Sequence, residues 1–428
     1  MPAPDLAERA RQVLRANDAG RWTKPSPAQY PHQWNWDSGF ASLGWAAFDP
    51  RRAALEIESM LGARWSDGMV PHIHYDRRYL ADYFPGPEWW PGAQRRVAMT
   101  GELTSGISNP PVLALAASMV GPRLGGEARA FYGRVFPALR DWLRWFRASR
   151  TLAGSPLPVT VHPWESGWDN SPRWDFLAAA GLKPRRPYQR LDTVHVGATQ
   201  RPTGKDYDSF LALAELLDGC DYDLARYRER SPFCVHDVLI DALWHRAARA
   251  VNRISIELQE SPPFSEPELE EYAAAFQTLH WSEMAGTWFD VDLLTGRQLT
   301  AATAAGLASL SGGLATPEQA ERAWSSYLET TAGLLPVPTA APGPAFEPER
   351  YWRGPVWLIV DWLVAEGLEA AGLREPAQAV RETVLSLAAA GLHEYFDPRT
   401  GAPLGAGGFS FSAAVVLDLL QTKGKPAF

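Results

Sequence analysis

The sequence predicts an all-α fold of paired helices, in the manner of an (α/α) toroid, with long loops that carry the function and a few short β-hairpins. Two observations lead there. Apolar residues recur at spacings of three and four in DPRRAALEIESMLGARW (49–65), GEARAFYGRVFPALRDWLRWFRAS (126–149), VHDVLIDALWHRAARAV (235–251) and GPVWLIVDWLVAEGLEAAG (354–372), the period of a helix with one buried face. Strand patterns are few and short by comparison, limited to PLPVTVHPW (156–164) and to hairpin-like turns at 288–299 and 395–405.

Helix starts support the periodicity. Ser265 followed by Glu268, and Thr316 followed by Pro317 and Gln319, have the spacing of caps that satisfy free backbone donors. Residues 1–18 form a first amphipathic helix, with charges placed too early for a secretory signal. The two hairpin-like stretches resemble each other, each with Phe-Asp followed by Thr-Gly, at Phe289 with Thr295-Gly296 and at Phe396 with Thr400-Gly401. That similarity suggests one turn reused after successive helices. The proline-rich stretches 261–268 and 334–349 lie between helices and are expected to be ordered loops. A single domain spanning 1–428 is expected, since single toroids reach this length.

With 46% hydrophobic and 21% charged residues the chain has ample material for a core. Its net charge of -8 is spread thinly and Lys and Arg form no basic run, which disfavours nucleic acid and anionic membranes as partners. No stretch approaches the roughly 18 apolar residues needed to span a bilayer. Cys220 and Cys234 are too few for a disulfide framework and read as buried thiols. A cytoplasmic location is expected, without cofactor or metal. His72 and His74 form an H-x-H, but with no third ligand in view they read as satisfied loop histidines.

The chain has 19 Trp, and many cluster in QWNWD (33–37), PEWWPG (87–92), PWESGWDNSPRW (163–174) and YWRGPVW (351–357). Flat aromatics beside Asp, Asn and Arg suit sugar rings, which present apolar C–H faces next to hydroxyls. Any one Trp taken singly could as well be core bulk.

YPHQWNWDSGF (30–40), WESGWDNSPRWD (164–175), RPTGKDYD (201–208), YWRGPVW (351–357) and HEYFDPRTG (393–401) together resemble the motif set of glycoside hydrolase family 63, in particular its bacterial mannosylglycerate and glucosylglycerate hydrolases, and more distantly the trehalases of family 37. Order and spacing match from about residue 25 to 415. The resemblance implies an (α/α)6 catalytic domain and inverting hydrolysis, with Asp169 of ESGWD as general acid and Glu394 as general base. Local sequence alone would leave Asp169 equally well explained as a turn cap in Asp-Asn-Ser-Pro, and Glu394 as a helix-end acid. Glu165 is the rival carboxylate, more readily read as held by backbone amides or Arg173.

By the same resemblance Asp37 binds sugar hydroxyls as an ionised carboxylate, while Tyr30, Trp34, Trp36, Trp164, Gly167, Tyr351, Trp352 and Trp357 complete the wall. Arg201 and Tyr207 match residues that contact glycerate, and an Arg fork with a phenol can hold a small carboxylate; the bland reading pairs Arg201 with Asp206 or Asp208 at the surface. Tyr83 resembles a residue on a mobile segment closing over glycerate. Two positions depart from the pattern: Asn109 stands where Gln is expected, and Phe411 where relatives often have Trp. The substrate implied is a small sugar with a carboxylate aglycone, 2-O-α-mannosylglycerate or 2-O-α-glucosylglycerate. A neutral disaccharide, a non-catalytic sugar-binding toroid, and a toroidal epimerase using histidines remain the alternatives.

Overall fold

The computed structural model describes residues 3–99 and 101–421. Among the described residues, six helical segments are buried along most of their length: Asn35–Ala46, Val112–Val120, Val238–Leu258, the joined pair Ala305–Ala308 and Ser309–Gly312, Leu358–Ala370, and Ser410–Gln421. Six others alternate with them along the chain, Ala3–Ala16, Pro50–Gly62, Ala128–Ser149, Glu266–His280, Pro317–Thr330 and Arg374–Ala390. This is the (α/α)6 arrangement the resemblance implied, with an inner and an outer layer.

Sequence explains the layering. In NWDSGFASLGWA every residue from Asn35 to Ala46 is buried, as expected where a helix has neighbours on all sides. The outer Ala128–Ser149 instead buries one stripe, which includes Phe131, Val135, Leu139, Trp142 and Phe146. Each inner segment packs on the next, and Ser410–Gln421 packs back on Asn35–Ala46, so the ring closes. Close approach is made possible by glycine. A Cβ on Gly44 would stand 2.5 Å from the Cα of Ala414, and one on Gly312 would stand 2.6 Å from the carbonyl oxygen of Ala242.

Ser265 with Glu268, and Thr316 with Gln319, form reciprocal capping boxes as their spacing predicts. Two antiparallel hairpins also form where expected, Asp290–Asp292 with Arg297–Leu299 and His393–Phe396 with Pro403–Gly407. Their shared turn is real but its register differs from the Phe-Asp alignment. The Gly296 amide bonds the Asp292 carbonyl and the Gly401 amide bonds that of Asp397, and the Asp292 and Asp397 carboxylates each accept the amide two residues on. Asp292 is thus the counterpart of Asp397, while Asp290 serves an ion pair described below. PLPVTVHPW contributes only a bridge between Thr160 and Val235, because it crosses the structure without a partner strand of useful length.

The proline-rich loops are tied down, for example by Thr339 donating through its amide and hydroxyl to the Pro355 carbonyl. Cys220 and Cys234 are buried and free. Among the described residues no helix is long and apolar enough to cross a membrane.

Candidate active site

Four inner helices turn their N-terminal ends toward one cavity. Trp34, Trp36 and Asp37 come from the entry to Asn35–Ala46, Asn109 from just before Val112, Tyr351, Trp352 and Trp357 from just before Leu358, and Phe409 and Phe411 from the start of Ser410–Gln421. The 164–169 loop, the start of helix Gly204–Gly219 and the hairpin strand His393–Phe396 complete the wall. The cavity measures about 770 Å³ with its mouth included, and all fifteen residues given a catalytic or substrate-binding role above line it.

Glu394 is 1% exposed. Its Oε1 accepts from the Tyr30 hydroxyl at 2.7 Å and Arg201 Nη1 at 3.4 Å, and its Oε2 from the Ala406 amide at 3.0 Å. Tyr30 spends its one proton on Glu394, so the 3.1 Å bond between the phenols of Tyr30 and Tyr351 is donated by Tyr351. Burial raises the Glu394 carboxyl above its ordinary value, opposed by Arg201, the Ala406 amide and Tyr30. A carboxylate hydrogen-bonded by three donors and made more basic by burial suits the removal of a proton from water.

Asp169 is half-buried and lines the same cavity. Burial pushes its carboxyl up to about 8, with Arg201 working against the shift and Glu394 and Asp192 adding to it. It therefore carries a proton at neutral pH, the state a general acid requires. Asp37 behaves alike, raised to about 8 by burial and by Glu394. The expectation of an ionised Asp37 is corrected accordingly: at neutral pH it offers one O–H donor beside its acceptor lone pairs.

The aromatics meet the cavity in a different manner from flat platforms. Trp352 is stacked between Trp168, with centroids 5.0 Å apart, and Trp357, 3.7 Å apart. With both faces covered it turns an edge to the cavity, and its Nε1 is buried without a protein partner. Trp357 donates to the Tyr351 carbonyl at 2.9 Å, which helps hold Tyr351 at a φ of 41°, a strained value for a side-chain-bearing residue. Gly167 is left-handed at φ 75°, and a Cβ there would lie 2.7 Å from the Trp36 ring. Only glycine lets the loop pass that close while aiming Asp169.

Arg201 is 3% exposed, and its carboxylate partners are Asp192 at 3.3 Å and Glu394 at 3.4 Å, which excludes surface pairing with Asp206 or Asp208. Asp206 instead completes the Thr203 capping box, and Asp208 accepts from Tyr188. Arg201 stacks on the Tyr351 ring at 4.0 Å, and Tyr207 lines the cavity beneath the Arg190 guanidinium at 4.0 Å. Tyr83 packs edge-on against Trp34 at 5.0 Å, at the end of a stretch Arg77–Asp82 that buries none of its side chains. Asn109 donates to the Trp164 carbonyl at 3.2 Å and leaves its own side-chain oxygen buried without a partner.

Glu165 is structural. It is buried and accepts from Arg150 and from the amides of Ser108 and Val161. Its cation is Arg150, because Arg173 is occupied by Asp237 and Asp290 at 3.0 and 2.8 Å. Sequence reasoning missed His72 and Asp192, both of which line the cavity. His72 has burial lowering it to about 3 and a buried Nδ1 without a partner, so it is a neutral imidazole at the sugar wall. His74 pairs through Nε2 with Glu102 at 2.6 Å, while its own Nδ1 is also buried without a partner. Among the described residues no cluster of three or more His, Cys, Asp or Glu is arranged to hold a metal ion.

Comparison with known proteins agrees over nearly the whole chain. The family model described as the mannosylglycerate hydrolase MGH1-like glycoside hydrolase domain matches residues 30–412. The mannosylglycerate hydrolase MGH1 of Selaginella moellendorffii is 39% identical, over 96% of this chain and 85% of its own. The glucosylglycerate hydrolase of Mycolicibacterium hassiacum is 36% identical, over 97% of both. Among solved structures, the family 63 mannosylglycerate hydrolase of Thermus thermophilus, in complex with Tris and D-glycerate, superposes with a TM-score of 0.88 at 36% identity, covering 96% of this chain and 99% of that one. The chain thus belongs to the mannosylglycerate hydrolase MGH1-like group of family 63 glycoside hydrolases.

Proposed function

We propose that this protein hydrolyses 2-O-α-mannosylglycerate, 2-O-α-glucosylglycerate or both, with inversion at the anomeric carbon. Asp169 protonates the departing glycerate oxygen while Glu394 takes a proton from the attacking water on the opposite face of the sugar. The C–O bond to glycerate breaks as the bond to water oxygen forms, and free sugar and glycerate leave. The whole chain acts as one catalytic domain, because the ring that frames the site joins its first and last inner helices.

The observation that carries the substrate assignment is a guanidinium buried in a cavity otherwise suited to a neutral sugar. Arg201 lines the cavity together with Asp169 and Tyr207 and bonds Glu394 at 3.4 Å, and its charge acts on Asp169. A carboxylate aglycone gives that buried cation a second reason to be there, beside its bond to Glu394. Relatives named for both sugars leave the hexose open. An acidic chain with two free thiols fits a cytoplasmic enzyme.

Incubation with mannosylglycerate, glucosylglycerate, trehalose and kojibiose, followed by proton NMR, tests the proposal. Initial release of the β-anomer from a glycosylglycerate is expected. Initial release of the α-anomer would exclude inversion, and turnover confined to the neutral disaccharides would exclude the carboxylate aglycone.

A further inference from the structure

We propose that Asp192 is a positioning residue of this site: it fixes both arginines of the aglycone half and balances the charge of Arg201, so that Asp169 stays protonated. The inference rests on Asp169 acting as the general acid.

Asp192 is 6% exposed and ties three elements together. Its Oδ1 accepts from Arg190 Nε at 2.8 Å, and its Oδ2 from Arg190 Nη2 at 2.7 Å and Arg201 Nε at 3.3 Å. Its backbone carbonyl accepts from Gln29 at 2.8 Å. Arg190 in turn covers the Tyr207 ring at 4.0 Å. One carboxylate thereby aligns the guanidinium of Arg201 and, through Arg190, the phenol of Tyr207. Asp192 also lies on the wall between the cavity and a second hollow lined by Gln29, Tyr79 and His195, where its position is set from both sides.

The charges form a buried chain in which signs alternate: Arg190, Asp192, Arg201, Glu394. With Asp192 and Glu394 ionised that chain is neutral as a unit, and Asp169 lines the same cavity under its influence. The groups acting on Asp169 are Arg201, Glu394, Asp192, Tyr83 and Tyr351; those acting on Asp192 are Arg190, Arg201, Tyr83, Tyr188 and Tyr207. Burial raises every one of these phenols, so they stay neutral at working pH. In a low dielectric an excess positive charge draws a proton off the nearest acid, and an excess negative charge holds it on. Removing Asp192 leaves the chain positive; removing Arg190 leaves it negative.

The two variants are therefore expected to move the alkaline limb of kcat/KM in opposite directions. Asp192→Asn should shift it down by about one pH unit, a tenfold change in proton affinity, lower kcat, and raise KM for the glycosylglycerate, since Arg201 and Arg190 lose the carboxylate that aligns them. Asp192→Glu should return the limb toward its wild-type position. Arg190→Gln should shift it upward. Circular dichroism reports which variants fold; should Asp192→Asn fail to fold, the Arg190→Gln limb alone decides. Limbs that stay in place, or move the same way in both folded variants, overturn the proposal. A wild-type profile with no alkaline limb, or turnover retained by Asp169→Asn, would instead defeat the general-acid assignment.

Discussion

Replacing Arg201 by Gln separates its two contacts. Arg201 is buried, stacked on Tyr351, and bonded to Glu394 through Nη1 at 3.4 Å. Loss of that long contact to the base falls on every substrate, and at the low end for a hydrogen bond to a charged group it amounts to about 1.5 kcal/mol, about tenfold in rate. Loss of the aglycone carboxylate's partner falls only on substrates that have one. Truncating one member of a buried, hydrogen-bonded charge pair costs about 2–5 kcal/mol, or about 30- to 4,000-fold in kcat/KM. The assay compares the preferred glycosylglycerate with its neutral amide, the glycosylglyceramide, on wild type and variant. The carboxylate substrate should lose at least about thirty times more than the amide, within that range. An equal loss on both would refute the clamp and leave Arg201 as a support for Glu394 alone.

Other outcomes follow from the same geometry. Wild-type kcat/KM should fall above about pH 8, where Asp169 loses its proton, and on the acid side through a Glu394 raised by burial; Asp37→Asn, isosteric with the protonated acid, should keep the alkaline limb, and its disappearance would assign that limb to Asp37. Gly167→Ala should destabilise the fold by about 2–4 kcal/mol in urea melts, from the left-handed backbone and the clash with Trp36, and raise KM. Arg173→Met should destabilise by about 3–5 kcal/mol, because Asp237 and Asp290 lose their shared cation. The Asp290 carboxyl is already raised to about 6, so the folded variant gains by binding a proton. Its deficit should be smaller in melts at pH 5 than at pH 8, and a pH-independent deficit would contradict the sign.

The helices were legible because burial on one face or on all faces leaves different spacings, and the capping boxes because their chemistry is local. The hairpins were legible for the same reason, although their register was not: Asp290 and Asp292 are equally good turn formers, and only the distant Arg173 decides which one leaves the turn. The motif set brought fifteen residues to one cavity, yet it could not say how they face it. Trp352 has its faces covered by two other tryptophans, and Asp37 is kept protonated by burial and by Glu394, near the other end of the sequence. In the sequence His72 reads only as a loop histidine and Asp192 is not singled out, because nothing local marks a side chain as facing a cavity built from several distant segments.

The closed ring also has a consequence for how the enzyme comes into being. Its innermost first helix, Asn35–Ala46, is buried all round and finds its last neighbour only in Ser410–Gln421. Asp169 and most of the other residues that line the cavity are translated well before Glu394 and Phe411. A growing chain therefore exposes a sticky seam until Ser410–Gln421 has been made, and until then chaperone protection matters. Closing contacts between the two extremes of the sequence also make the final step slow, since the longest loop must be ordered to form them.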